Sequence, residues 1–404
     1  MIYMDNSATT RCFDEVAQLM ADIMCNDYGN PSSAHHLGVT AEAHIKKAKD
    51  IFAQILRCKA DELIFTSGGT ESDNLAILGA ARANKRSGNH IVTTVVEHPA
   101  VLRTMEQLQE EGFDITYLPV DKDGCVSIDS LEKAVSADTI LVSVMHTNNE
   151  VGALQPVREI GELLKRRYPG VIFHVDAVQG FGKARIYPKE SGIDMLSVSA
   201  HKIHGPKGVG LLYIADKTKV EPIIYGGGQQ KGLRSGTENV AGIAGFAMAA
   251  KMLYDELEAE RERLYNIKTE LVRGLSSLEG VQINGIPGCD LTAGIPAAGL
   301  NADLLSAAIR NSAPHIVSAS FAGVRAEVLL HALEEKDIYV SAGSACATHK
   351  PEPSRTLQAM GLKKEMLEGT LRFSLSKFND EKEPQEVVRV LNELLGELRK
   401  FTRR

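Results

Sequence analysis

The stretch Glu62-Leu-Ile-Phe-Thr-Ser-Gly-Gly-Thr-Glu-Ser-Asp-Asn74 decides the fold class. Its first five residues form a short apolar run rich in strand-favouring types, the mark of a buried strand. Ser67-Gly68-Gly69-Thr70 breaks that run, and residues 70–86 then carry apolar positions at Leu75, Leu78 and Ala81 on a helical spacing. A strand, a glycine turn and a helix make up the unit from which sheets covered on both faces are built. The alternation continues outward. Strand-like runs stand at 91–95, 115–118, 139–145, 171–175, 194–198 and 209–213. Helical patterns stand at 99–111 and 156–167, the latter with Pro156 near its first turn. Seven runs predict an α/β domain with a mainly parallel, seven-stranded sheet.

Beyond residue 215 the character changes. Gly226-Gly227-Gly228 leads into a polar loop, and a long helical pattern follows from about 239 to 278. The last third has shorter strands and closes with a helix at roughly 385–401, which reads as a smaller α+β domain. The total of 404 residues suits two or three domains at ~150 residues each. With 44% hydrophobic and 24% charged residues, the composition excludes disorder, collagen and coiled coil as the main architecture. The net charge of −7 makes direct nucleic-acid binding a poor reading, and the basic tail at 399, 400, 403 and 404 reads as a solvated helix end. No apolar run approaches the ~18 residues of a membrane span, and the N-terminus lacks a secretory pattern. Cys12, Cys25, Cys58, Cys125, Cys289 and Cys346 are scattered, with no Cys-x-x-Cys pair. That spacing argues against a metal site or a disulfide framework and favours a reducing, cytoplasmic setting. Taken singly, each cysteine reads as a small buried residue.

In a doubly wound sheet, ligands sit outside the carboxyl ends of the strands. After 62–66, the two glycines let backbone approach a ligand closely, and a helix N-terminus offers its N–H groups to an anion. Thr70 with Asp73 resembles a capping box, and an N-capped tight turn is the plainer alternative. After 91–95 come Glu97-His98, and after 139–145 come His146-Thr-Asn-Asn-Glu150. After 171–175 come Asp176 and Gln179, and after 194–198 come Ser199-Ala-His-Lys202. Any one of these suits a cap. Together, five strand ends deliver an imidazole, an amide, a carboxylate, hydroxyls and an amine to one crevice. That set suits pyridoxal phosphate: an amine for its aldehyde, a carboxylate for its pyridine nitrogen, a helix N-terminus for its phosphate and a ring to stack on it. Lys202 is the candidate amine, with a surface lysine before a turn as the alternative.

These motifs resemble the NifS/IscS-like cysteine desulfurases, class V aminotransferase relatives of the aspartate-aminotransferase fold (fold type I). The resemblance runs from Ile2-Tyr-Met-Asp-Asn-Ser-Ala-Thr-Thr10 to Leu371-Arg-Phe-Ser374. Between them lie Gly29-Asn-Pro-Ser-Ser33, Asn148-Asn-Glu-Val-Gly152, Gly232-Leu-Arg-Ser-Gly-Thr-Glu-Asn239 and Ser341-Ala-Gly-Ser-Ala-Cys346. The resemblance implies a large cofactor domain over 13–255 and a small domain over 1–12 and 256–404. It implies Lys202 as the Schiff-base lysine, Asp176 on the pyridine nitrogen, Gln179 on the ring hydroxyl oxygen and Asn149 beside that oxygen and the substrate. His98 would stack on the ring and move protons. Gly69, Thr70, Ser199 and His201 would hold the phosphate, with Thr237 reaching the phosphate of the partner in a homodimer. Arg372 would grip the carboxylate of L-cysteine. Cys346 would accept the sulfur as a persulfide and pass it to an acceptor protein, such as an iron–sulfur scaffold or a tRNA-thiolation enzyme. His349 and Lys350 lie close enough in sequence to favour its thiolate.

Eight positions separate Cys346 from Ser354, as in the long-loop branch serving such acceptors. The segment 284–313 is longer than relatives lead one to expect, which suggests a surface elaboration of the small domain or a partner contact. Another fold-type-I enzyme, such as a small aminotransferase or a β-lyase, would use Lys202, Asp176 and Arg372 without needing Cys346. A scaffold that had lost the chemistry would not keep every cofactor position filled.

Overall fold

A computed structural model of the chain describes residues 1–287, 302–342 and 354–402. After β1 (Ile2–Tyr3), helices α1 (Asp14–Asn26) and α2 (His36–Leu56) lead to the large sheet. Its strands are β2 (Leu63–Thr66), β3 (His90–Thr94), β4 (Asp114–Leu118), β5 (Thr139–Ser143), β6 (Ile172–Asp176), β7 (Met195–Ser199) and β8 (Gly210–Ile214). They lie in the order β2-β8-β7-β6-β5-β3-β4. Among them come α3 (Gly69–Asn84), α4 (Pro99–Glu110), α5 (Ile128–Ala134) and α6 (Val157–Arg167), with α7 (Val240–Asp255) after the last strand.

The strands are largely apolar because both faces are covered. Leu63, Phe65, Leu196, Val198, Leu211 and Tyr213 pack towards α1, α2 and α7. Ile64, Met195, Leu212 and Ile214 pack on the opposite face with Leu75 and Ile77 of α3 and Val101 and Met105 of α4. The sheet is parallel except for β8, which runs antiparallel to both β2 and β7. The carboxyl ends of β2, β3, β5, β6 and β7 therefore share one edge.

The long helical pattern is two helices. It breaks at Glu256 (φ −119°, ψ 13°) into α7 and α8 (Leu257–Ser276). The break divides two functions: α7 is buried along most of its length, whereas α8 has one wet face. A second sheet follows, built from β9 (Val281–Asn284), β10 (Ile316–Phe321), β12 (Ser341–Ala342) and β13 (Thr370–Ser374) in the antiparallel order β12-β13-β10-β9. β1 pairs in parallel with β11 (Ile338–Tyr339), which ties the N-terminus to this region. α8, α10 (Ala326–Glu334) and α13 (Glu383–Thr402) pack on it around Leu271, Leu329 and Leu391.

The capping box expected of Thr70 is not formed. The N-cap is Gly68, Thr70 lies inside the first turn of α3, and Asp73 is buried beneath it. Nor is the described half of the 284–313 segment a surface elaboration. α9 (Ala302–Arg310) buries Leu305 and Ile309 in the small core. No helix among the described residues is long and apolar enough to cross a membrane.

Candidate active site

The turn after β2 forms one wall of the crevice. Gly68 adopts φ +156°, a backbone region that favours glycine, and no side chain caps α3. A Cβ on Gly69 would stand 2.7 Å from Val178 Cγ2 and 3.7 Å from Ser199 Cβ, so only glycine lets the turn lie this close to the next strand ends. Ser199 Oγ, buried at the end of β7, has no hydrogen-bond partner among the described residues. A free helix N-terminus and an orphan hydroxyl form an anion cradle. His201 stands beside it with Nδ1 on Thr9 Oγ1 at 3.2 Å, and burial and then Lys202 and Lys207 push its ring down to about 4.

Lys202 Nζ donates to the carbonyls of Ser7 at 2.5 Å and Ala8 at 2.9 Å, which places the amine against the N-terminal arm. Asp176 ends β6, and its Oδ1 accepts from Val178 N at 2.9 Å. Burial raises its carboxyl, while His98 and Lys202 pull it back towards the ionised form. His98 caps α4: its Nδ1 accepts from Ala100 N at 3.1 Å, leaving Nε2 as the ring position for proton traffic. Burial lowers its ring and Lys202 adds to the effect, against the opposing pull of Asp176. The amine, the carboxylate and the imidazole thus stand within electrostatic reach of one another.

Gln179 is buried, with Nε2 donating to Ser7 O at 2.9 Å and Oε1 meeting His315 Nε2 at 3.2 Å. Arg372 reaches the crevice from β13. Its Nη1 donates to Asn149 O at 2.8 Å and its Nη2 to Asp5 Oδ1 at 3.0 Å, while its buried Nε has no partner. Thr237 is exposed and lines a hollow with Ser67, Gly208 and Arg234. Thr70 is exposed as well. Cys346, Cys289, His349 and Lys350 lie outside the described residues.

Several buried groups carry no chemical role that the sequence alone suggests. Behind Asp176 lie Asp73 and Glu97, both raised chiefly by burial, Glu97 to about 8. His174, pushed down to about 3 by burial, bonds Ser143 Oγ at 2.9 Å and Ser197 Oγ at 3.0 Å. It also stands 3.6 Å from Asp73 Oδ1. Since burial drives both towards their neutral forms, this contact is not an ion pair. Ser7, Asp5 and His315 also belong to the site. The arm residues stood inside a quoted motif, whereas His315 carried no sequence signal.

The donor set fits pyridoxal phosphate. It offers an anion cradle at Gly69 and Ser199, a buried carboxylate for a ring nitrogen, an imidazole across from it, and a primary amine. Among the described residues, no group of three His, Cys, Asp or Glu side chains is placed to hold a metal ion.

Comparison with known proteins gives the same picture. The family model described as aminotransferase class-V matches residues 2–295 and 300–387. A cysteine desulfurase IscS from Clostridium botulinum is 41% identical over 402 residues, covering 99% of this chain and 96% of the relative. One from Methanosarcina thermophila is 41% identical over 401 residues, covering 99% and 93%. Among solved structures, a NifS-like protein superimposes with a TM-score of 0.87 at 38% identity, covering 98% of this chain and all of that one. SspA in complex with cysteine gives 0.78 at 31% identity, covering 94% and 100%.

Proposed function

The chain belongs to the aminotransferase class-V family and is a pyridoxal-phosphate-dependent cysteine desulfurase, and from that premise we propose which of its residues perform each part of the reaction. The observation that carries the assignment is the meeting of Lys202, Asp176 and His98 at the carboxyl edge of the large sheet. When bound, the cofactor supplies an electron sink that makes the substrate α-proton removable and its carbon–sulfur bond labile.

Lys202 is the amine that would hold the cofactor aldehyde, the place that the amine of L-cysteine would take. Asp176 would keep the pyridine nitrogen protonated. Gly69, Thr70, Ser199 and His201 would hold the phosphate. Gln179 would bond the ring hydroxyl oxygen, with Asn149 beside it. Arg372 receives the substrate carboxylate, a task that matches its planar, multiply donating head. Two features support this. Its Nε is a buried donor with nothing to bond, and Asp5 and Asn149 O hold the guanidinium in place. His98 would stack on the ring and move protons through Nε2, since its Nδ1 accepts from Ala100 N.

Cys346 takes the sulfur. Its thiolate attacks the substrate sulfur, an S–S bond forms, the C–S bond breaks, and protonation of the carbon fragment releases alanine. The resulting persulfide passes sulfane sulfur to an acceptor, an iron–sulfur scaffold or a tRNA-thiolation enzyme. The chain works as a homodimer, with Thr237 of each subunit at the phosphate of the other.

The test is Cys346→Ser with L-cysteine and a reductant. Sulfide release is expected to fall by at least about a hundredfold, as when a covalent nucleophile is lost. Release at the parent rate would remove Cys346 from the mechanism and favour a lyase that needs no cysteine nucleophile.

A further inference from the structure

We infer that His315 is a positioning residue for this reaction, acting through Gln179 to present one amide N–H of that residue to the cofactor ring. The inference rests on the proposed pairing of Gln179 with the ring hydroxyl oxygen.

The amide of Gln179 is held at both ends. Ser7 O can only accept, so it fixes Nε2 on its side at 2.9 Å. His315 Nε2 then stands 3.2 Å from Oε1, an atom that can only accept, so the His315 proton lies on Nε2. One N–H of the amide nitrogen is spent on Ser7, and the other remains. Without His315, Oε1 would be buried without a donor and the amide would be free to rotate about its last torsion.

His315 is itself firmly placed. It immediately precedes β10, its carbonyl accepts from Leu375 N at 2.8 Å, and 2% of it is exposed. The residues before it are pinned from three sides. Lys268 Nζ donates to Ser312 Oγ at 2.7 Å and Ala313 O at 2.8 Å. Tyr265 OH donates to Ser312 O at 3.0 Å, and Ala313 N donates to Gly152 O at 2.8 Å. Burial and the surrounding cations Lys183, Lys268, Arg372 and Lys202 push the ring far below its ordinary value, so it stays neutral. No carboxylate is among the groups acting on it. Among the described residues its other nitrogen, Nδ1, has no partner, so the bond to Gln179 is its one side-chain hydrogen bond there.

The consequence is electronic as well as steric. A donor on the ring hydroxyl oxygen lowers the basicity of that oxygen, and the pH midpoint of the bound cofactor's absorbance falls with it. His315 also belongs to the small domain, while Gln179 and Lys202 belong to the large one. The contact therefore registers one domain against the reactive end of the other.

The experiment compares the holoenzyme forms of H315L, H315Q, Q179L and the double variant H315L/Q179L by absorbance titration, with a thermal midpoint for each. Q179L and H315L should each move the absorbance midpoint upward by roughly half a unit to one unit, the size of one neutral hydrogen bond. The double variant should move it no further than either alone. H315Q, whose amide can still donate to Oε1, should stay near the parent. If H315L does not fold, H315N replaces it, since that shorter amide leaves Oε1 unmet and should shift the midpoint likewise. A shift in Q179L without one in the His315 variant overturns the inference and leaves the role of Gln179 standing. So does an additive double variant, or a His315 variant that lowers only the thermal midpoint. No shift in Q179L overturns the assignment of Gln179 itself, and the inference with it.

Discussion

Glu97 precedes His98, is wholly buried, and offers Oε1 to Thr94 Oγ1 at 2.7 Å and to Met145 N at 3.0 Å, while Oε2 meets nothing. Burial outweighs those two bonds and pushes the carboxyl up to about 8. In the unfolded chain it would ionise near ~4.3. Its contribution to stability is therefore complete below that value and is lost as pH rises through about 8. Glu97→Gln keeps both accepted bonds and removes the titration. From pH 6 to 9 its thermal midpoint should fall less than the parent's, by about 2 °C or more. Parallel curves would mean that Glu97 is ionised throughout. This carboxyl also shows where sequence reading stops at this scale. Glu97 and His98 are adjacent at a strand end, and the sequence makes both visible. Whether an acid there faces water or lies beneath the site depends on chain segments 50 residues away. The same holds for Asp73, legible as a cap and found instead as a buried acid beside His174, its carboxyl raised chiefly by burial.

At the scale of elements, the apolar runs were legible because a strand covered on both faces is apolar along most of its length. All seven appear within a residue or two of their expected bounds. The direction of β8 was not legible. Gly210–Ile214 is as apolar as its neighbours, and strand polarity leaves no trace in composition. The α7–α8 break was hidden for a related reason, since helical periodicity persists across a single changed residue. The element on which cofactor binding most depends is the β2–α3 turn. Gly69→Ala suits a helix better than glycine does, so the fold should hold. Its Cβ, however, meets Val178 Cγ2 at 2.7 Å, and the turn must withdraw from Ser199. Cofactor affinity, measured by titrating the apoenzyme, should weaken by about tenfold, or ~1.4 kcal/mol. Unchanged affinity would show that the phosphate is not held at this turn.

Among the described residues the main buried clusters divide into two groups. One covers both faces of the large sheet, and the other joins Met4 to residues between Leu264 and Leu395. We propose that these are the two domains, 13–255 against 1–12 with 256–404. In native-state hydrogen exchange, Val142 and Val175 should open with a free energy distinct from that of Leu371 and Phe373. A single shared value would mean one cooperative unit.

The association of two chains is the level least visible in a single sequence, because a surface that meets a partner obeys the same composition rules as one that meets water. Thr237 makes the proposed homodimer testable. It is exposed, it precedes α7, and it lines a hollow with Ser67 and Arg234. If it serves the partner's phosphate, Thr237→Asp places a negative charge against the site of the other subunit and weakens cofactor binding there. Lys202→Ala disables only its own site. In a mixed dimer of the two variants, the site with an intact lysine receives an intact threonine from its neighbour. Sulfide release at limiting cofactor should therefore rise above that of either variant alone once subunits exchange. If Thr237 acted within its own chain, the only intact lysine would sit beside the substituted aspartate, and mixing would restore nothing.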